Sequence, residues 1–433
     1  MLHLPAAKPS RYGLVYLFLA AALPVLALFN TKAIVPLTIV AALALFVIAA
    51  RDGKLDVIKR LDRFLWLGLA GYLSIFLVSS ILGDTWITGA VSLGKLLGLT
   101  LIAIIVIPLQ ARLSATDLKW IACALIGAIL FALCWVAIYI LHDIALYTGS
   151  AHSAAMIEDH LNRISYYGYF WFKPAATVTL ILSLIAGIYL HRTGHRVAAI
   201  LLAVCSAGLC YWVGNRTAFY GSMLAMGVGV FYHFMGRHRL KLIVFILAIA
   251  FAIPPVMNLL GFSPGHISSH LSKASPGSNS IVYRLHIWEF VADKITEKPL
   301  LGWGAGASKR LGTDAVDTLT DPKFGTLGEP IPVHPHNGIL QVWLEFGFFG
   351  ALFVFILIAR GMAIADRYLT EPWQRIWVSA SATLLACFFG FSFSISSSWW
   401  LATVIVCIAI AAAFVAIQSQ SPAPTTPEES APR

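Results

Sequence analysis

HNGILQVWLEFGFFGALFVFILIA, residues 336–359, runs from a polar loop straight into an apolar stretch long enough to cross a membrane. It opens on His336 and Asn337, and after nine intervening residues comes Gly347-Phe348-Phe349-Gly350. A histidine at the mouth of a membrane helix can take or hold a proton near neutral pH. Glycines about three turns further on would let a neighbouring helix approach closely. A chain that re-enters hydrocarbon at a titratable residue has the makings of a membrane protein with chemistry at its surface.

The rest of the chain agrees. Of 433 residues, 59% are hydrophobic and 12% charged, and a soluble domain carries roughly twice that charged fraction. Apolar runs near 20 residues recur about twelve times, at about 13–30, 33–50, 64–83, 90–109, 120–141, 174–190, 197–213, 218–235, 241–262, 337–359, 376–394 and 398–416. The expected fold is an all-α polytopic membrane protein. Residues 1–262 carry nine spans with an outer loop at about 142–173, and 263–335 form a large outer loop. Residues 336–416 carry the last three spans, and 417–433, rich in Ser, Pro, Thr and Glu, read as a disordered tail. The six cysteines fall inside the apolar runs as small packing residues. No cleavable signal peptide is expected, because the first run lacks a clear small-residue cleavage site and a second follows almost at once.

Orientation decides where chemistry can occur. With the amino terminus inside, most of the 30 Lys and Arg fall on inner segments, and the short outer loops hold only Lys32 and Arg216. Both termini are therefore expected in the cytoplasm. The net charge of +10 reflects this asymmetry and does not call for nucleic acid.

The two long loops face outward, and long ordered loops are usually functional. In the second, Ile281, Leu285, Trp288, Val291, Ala292 and Ile295 recur at three- and four-residue spacing. They predict an amphipathic helix lying on the membrane surface or capping the bundle. Gly302-Trp303-Gly304-Ala305-Gly306 follows as a turn that shapes the loop. It follows no predicted strand and lacks the Lys-Ser/Thr of a nucleotide-binding loop.

Several charges need a reason. Arg216, in Gly214-Asn215-Arg216-Thr217, runs against the orientation bias and is either functional or snorkelling to outer headgroups. Arg284 lies one turn before Trp288, and Arg163 lies in a loop just before the sixth span. Lys95, within the fourth span, cannot face lipid cheaply, so it snorkels, pairs with an acid or lines a cavity. His334 and His336 flank Pro335 and are expected to point in different directions, with His336 the functional one. Guanidinium groups at an outer membrane surface suit a diphosphate, because Arg presents a planar fork that keeps its charge. Many sugar transferases hold that leaving group with a metal on an Asp-x-Asp pair, and this chain has no such pair. Glu158-Asp159-His160 is its one tight acidic cluster, and a solvated loop face explains it best.

The His-Asn-x9-Gly-x-x-Gly pattern resembles the signature of the O-antigen ligase and polymerase superfamily. The resemblance extends to the Asn-Arg-Thr turn at Arg216, to Arg284-x3-Trp288 leading into Lys298-Pro299-x2-Gly302-x-Gly304, and to the arrangement of spans. It covers roughly residues 200–350, and the amino-terminal third matches in hydropathy alone.

The resemblance implies a GT-C-type, metal-independent, inverting glycosyltransferase of the bacterial inner membrane, with a periplasmic active site and no cofactor. The donor would be O-antigen on undecaprenyl diphosphate and the acceptor lipid A–core. Arg216 and Arg284 would hold the diphosphate, with Arg163 a weaker candidate. His336 would act as general base, and Asn337 would orient it or cap the helix. Lys95 and Trp288 complete the expected substrate-binding set. An O-antigen polymerase is the nearest alternative. A lipid or glycan transporter is the alternative from another class, weakened by the lack of an internal repeat.

Overall fold

The computed structural model describes residues 5, 7–56, 63–83, 85–149, 169–257, 259–271, 278–315 and 318–416. Arg163, the Glu158-Asp159-His160 cluster and the tail from 417 lie outside the described residues.

The chain is an all-α, multi-pass membrane protein. In order come α1 (Arg11–Phe29), α2 (Ile34–Arg51), α3 (Arg63–Leu82), α4 (Trp86–Leu109), α5 (Ala115–Gly149), α6 (Lys173–Arg192), α7 (Arg196–Trp212), α8 (Arg216–Phe234) and α9 (Arg239–Ala252). The region 263–335 holds α10 (Pro264–Ser269), α11 (Ser278–Glu297), α12 (Ala307–Asp314) and a hairpin of β1 (Leu319–Asp321) and β2 (Gly325–Gly328). Then follow α13 (Gly338–Tyr368), α14 (Pro372–Phe391) and α15 (Ser398–Ala416).

Among the described residues, seven helices are long and apolar enough to cross a membrane. The expected twelve is not reached, for local reasons. The apolar part of α7 is too short, α9 has only 14 residues and stops just before Pro254-Pro255, and α8 and α14 dilute their apolar residues with Gly, Ser and Tyr or Gln, Arg and Ser.

α6 is the central helix. Every residue from Ala175 to Leu190 is buried, as expected of a helix that is apolar all round. α1, α5, α7, α14 and α15 pack around it. Its buried neighbours form one core, from Tyr16 and Leu19 to Phe388 and Phe414. A second core joins Tyr72 and Phe76 on α3 to Ile287, Val291 and Ile295 on α11 and to Leu340, Leu344 and Phe346 on α13.

α11 spans the residues read as an amphipathic helix and buries one face, slightly turned from the one the spacing gave. Val282 and Ile287 are fully buried, whereas Ile281 is 50% exposed. Its far side is pinned to the hairpin: Tyr283 donates to the Glu329 carbonyl at 2.7 Å, and the His286 ring lies 2.9 Å from the Asp321 carboxylate. Burial pushes the Asp321 carboxyl up, but bonds from His286, Ser268 and the Phe324 and Lys323 amides outweigh it and hold the group well below the usual range.

The glycines of Gly347-Phe348-Phe349-Gly350 do something other than admit a neighbouring helix. Gly347 has φ 59° and ψ −157°, which breaks α13 after two turns. A Cβ there would lie 2.4 Å from the Leu300 carbonyl carbon, and one at Gly302 would lie 2.5 Å from the Phe346 nitrogen. The partner in close approach is the turn at 299–306. Its backbone takes up the groups the break releases: Trp303 N–H donates to the Leu344 carbonyl, Gly304 N–H to the Glu345 carbonyl, and Phe348 N–H to the Pro299 carbonyl, at 2.8–2.9 Å.

Candidate active site

The entrance to α13 is built on a local hydrogen-bond design. Asn337 is extended, and its side chain accepts from the Ile339 and Leu340 amides at 3.0 and 3.1 Å, capping the helix. Asn337 is therefore the cap, one of the two roles open to it. His336 just before it sits at φ 55°, the one left-handed non-glycine among the described residues. That conformation costs a branched L-residue of order 1–3 kcal/mol.

His334 supplies part of the compensation. Its Nδ1 accepts the His336 backbone N–H at 3.1 Å, and the two rings lie 4.4 Å apart. The rings thus share one side, contrary to the expectation that Pro335 would send them apart; the left-handed turn at His336 brings the chain back. The His336 Nδ1 faces the Ser392 carbonyl at 3.4 Å. Only an N–H can serve a carbonyl, so this contact favours the tautomer with a bare Nε2.

Burial, and then the Arg284 guanidinium, hold the His336 imidazole below its ordinary value, while the Ser392 carbonyl pulls the other way. Burial, His336 and Arg284 together push His334 down to about 4. Both rings are neutral at neutral pH, the state a general base requires.

Arg284 and Trp288 come from one face of α11. Burial pushes the Arg284 guanidinium below its ordinary value, yet a guanidinium stays charged at any ordinary pH. The Trp288 indole donates to the Pro335 carbonyl at 2.9 Å and its ring lies 5.9 Å from Phe391. Trp288 therefore ties α11 to the residue before His336, a positioning contact.

Arg216 opens α8. Asn215 caps that helix through the Ala218 amide, and its Nδ2 donates to the Lys173 carbonyl at 3.3 Å and the Thr177 hydroxyl at 2.8 Å. The start of α8 is thereby fastened to the start of α6. Lys173, the first residue of α6, lies within the electrostatic reach of both Arg284 and Arg216. Arg216, Lys173 and Arg284 thus gather from three segments, with Arg284 reaching on to His334 and His336. The cluster straddles the two cores, with α6 and α8 on one side and α11 and the α13 entrance on the other.

Lys173 escaped the sequence reading because it was counted among the long-loop charges. Its signal was a Lys-Pro pair at the very start of an apolar run. Lys95 lies elsewhere. It lines a cavity of about 100 Å³ with Tyr72, Phe76, Ser92, Glu345 and Ser396, and none of Arg216, Arg284 and His336 is in its wall. Lys95 lines a cavity, as one of its three readings had it, but the structure does not bring it to the cluster.

A family model described as O-antigen ligase matches residues 198–355, which include Arg216, Arg284, Trp288, His336 and Asn337 but neither Lys173 nor Lys95. The chain is also similar to proteins named as polysaccharide ligases in three Rickettsia species. It is 27% identical to that of Rickettsia prowazekii over 248 residues, 56% of this chain and 58% of that one. It is 31% identical to that of Rickettsia conorii over 194 residues, 42% and 44% of the two chains. It is 32% identical to that of Rickettsia bellii over 201 residues, 44% and 45%. The chain spans about half the length of the curated relatives it matches. The segment that carries the arginines and the histidine is thus similar to the O-antigen ligase family.

Proposed function

We propose that this protein is an O-antigen ligase, transferring polysaccharide from undecaprenyl diphosphate to lipid A–core at the periplasmic face of the bacterial inner membrane. One observation carries the reading: a neutral histidine with a bare Nε2 beside a gathering of cations at the ends of membrane helices. Cations of this kind match a diphosphate leaving group, and the histidine matches a hydroxyl nucleophile.

In this reading His336 Nε2 takes the proton of an acceptor sugar hydroxyl as its oxygen attacks the anomeric carbon of the donor. The bond from that carbon to the diphosphate oxygen breaks, and its electron pair leaves on the diphosphate. Arg216, Arg284 and Lys173 stabilise the charge that develops there. A single displacement inverts the anomeric centre. Arg163 is proposed as a further diphosphate contact. The fixed cations fill the role a divalent metal fills in many sugar transferases, so the reaction is proposed to be metal-independent. The proposed frame is a GT-C-type bundle of about twelve crossings, the less apolar helices included, with both termini cytoplasmic and 263–335 outside.

The test is to incubate the purified chain with an undecaprenyl-diphosphate glycan and lipid A–core and resolve the products by gel. Glycan appearing on lipid A–core, and lost in His336→Ala, supports the ligase. Lengthened donor chains with lipid A–core unmodified would mean a polymerase, and no new glycosidic product would overturn the transferase reading and revive the transporter alternative.

A further inference from the structure

Gln341 and Glu345 stand one turn apart on α13, both 2% exposed, in a stretch from 338 to 359 that is otherwise apolar. Buried polar groups at this depth need complete partners, and these two have them. The Glu345 carboxylate accepts from the Ser308 hydroxyl at 2.6 Å, the Gly306 amide at 3.1 Å and the Gln341 Nε2 at 3.0 Å. The other end of the Gln341 amide, Oε1, accepts from the Ser394 hydroxyl at 3.0 Å and the Ile395 amide at 3.2 Å.

The Gln341 amide therefore bridges two elements. One is the 306–308 corner where α12 begins; the other is the short segment between α14 and α15. That second segment starts at Ser392, whose carbonyl faces His336 Nδ1. An amide donates at one end and accepts at the other, and it stays neutral at any pH. Glutamate in its place would set two carboxylates together, and leucine would leave Glu345, Ser394 and Ile395 each short of a partner.

We propose that Gln341 and Glu345 are positioning residues, a buried strut that holds segment 392–395 so that the Ser392 carbonyl keeps His336 in the tautomer with Nε2 free. The inference deepens the proposed function and rests on His336 being its base. The other titratable or charged groups that face His336 are His334 and Arg284, and neither touches the strut.

The test compares wild type with Gln341→Met, Glu345→Gln and the exchange Gln341→Glu/Glu345→Gln, each as the full chain in nanodiscs. Two readouts are taken. One is nitrogen NMR of histidine-labelled protein, with the His336 signals picked out by their absence in His336→Gln. The other is the pH profile of transfer with kcat and KM separated. The expected result is a His336 tautomer shifted away from Nδ1–H in Gln341→Met, with kcat down about tenfold or more, a part of the 10²–10⁴ a general base supplies.

The KM for the lipid-linked donor should change less than about threefold, because the arginine cluster is untouched. The exchange restores a donor–acceptor pair between 341 and 345 and should recover part of the loss. An unchanged His336 signal in a folded Gln341→Met protein overturns the strut, as does a kcat loss with the pH profile unmoved. Absence of transfer in wild type, with the tautomer shift still present, overturns the proposed function and leaves the strut standing.

Discussion

At the scale of single residues, the site depends on a histidine in a backbone conformation that favours glycine. His336→Gly removes the ring but adopts φ 55° freely, so it should abolish transfer while matching or exceeding the thermal stability of wild type. His336→Ala loses the ring and keeps the strain. Comparing transfer and melting temperature of the two separates chemistry from backbone.

Arg284 offers a second test through its charge. It disfavours the imidazolium of His336, second to burial. Arg284→Gln should therefore let the His336 value rise part of the way toward the ordinary ~6.5. Since the base must be neutral, the acid limb of the pH–rate profile moves to higher pH, alongside a loss in kcat/KM on the order of 10². An acid limb that stays in place would show that Arg284 does not act on His336.

His336 and Asn337 were readable because cap and base are neighbours in the chain. Lys173 and Gln341 were not, since their meaning lies in the Asn215 turn, 42 residues from Lys173, and in Ile395, 54 residues from Gln341.

At the scale of elements, the break in α13 is the feature hydropathy conceals. The apolar run passes through Gly347 without a mark, so one span was expected where the helix has two parts. A Cβ at 347 would meet Leu300 backbone at 2.4 Å in a conformation nearly confined to glycine. Gly347→Ala should cost several kcal/mol, of order 3 or more, and abolish transfer by displacing the 299–306 turn. Gly361, later in the same helix, faces open space, and Gly361→Ala should be neutral or stabilising by about 0.5–1 kcal/mol. Thermal denaturation in detergent distinguishes the two. Elements with strong local signals were legible, α11 from its apolar period and the glycine turn from its composition, whereas the span expected at 241–262 stops at Ala252, before Pro254-Pro255. What the turn packs against was not, because that contact is between backbones and leaves no side-chain pattern.

At the scale of the whole molecule, the arrangement predicts insensitivity to chelation. With the cationic work assigned to Arg216, Lys173 and Arg284 in the proposed mechanism, transfer should persist in excess EDTA, and a loss restored by added divalent metal would count against it. Topology is checked by reporter fusions. An enzyme active only outside, fused after residue 335, should be active, and the same fused after 416 should be silent. The membrane class was plain from composition, but the number of crossings was not, because α7, α8, α9 and α14 are short or polar in parts and are held by neighbours as much as by lipid.

The turn at 299–306 reaches across the molecule. A Cβ at Gly83 would meet the Trp303 carbonyl oxygen at 2.2 Å, the Ser79 hydroxyl donates to the Glu345 carbonyl at 2.7 Å, and the turn lies against both segments. Ribosomes deliver chains from the amino end, so the groove beside Ser79 and Gly83 exists long before its filling does. It is filled only once the turn and α13 have both been made. A chain that stops between residues 284 and 299 holds Arg216 and Arg284 but neither the turn nor His336. The groove, the break in α13 and the proposed centre are therefore finished together.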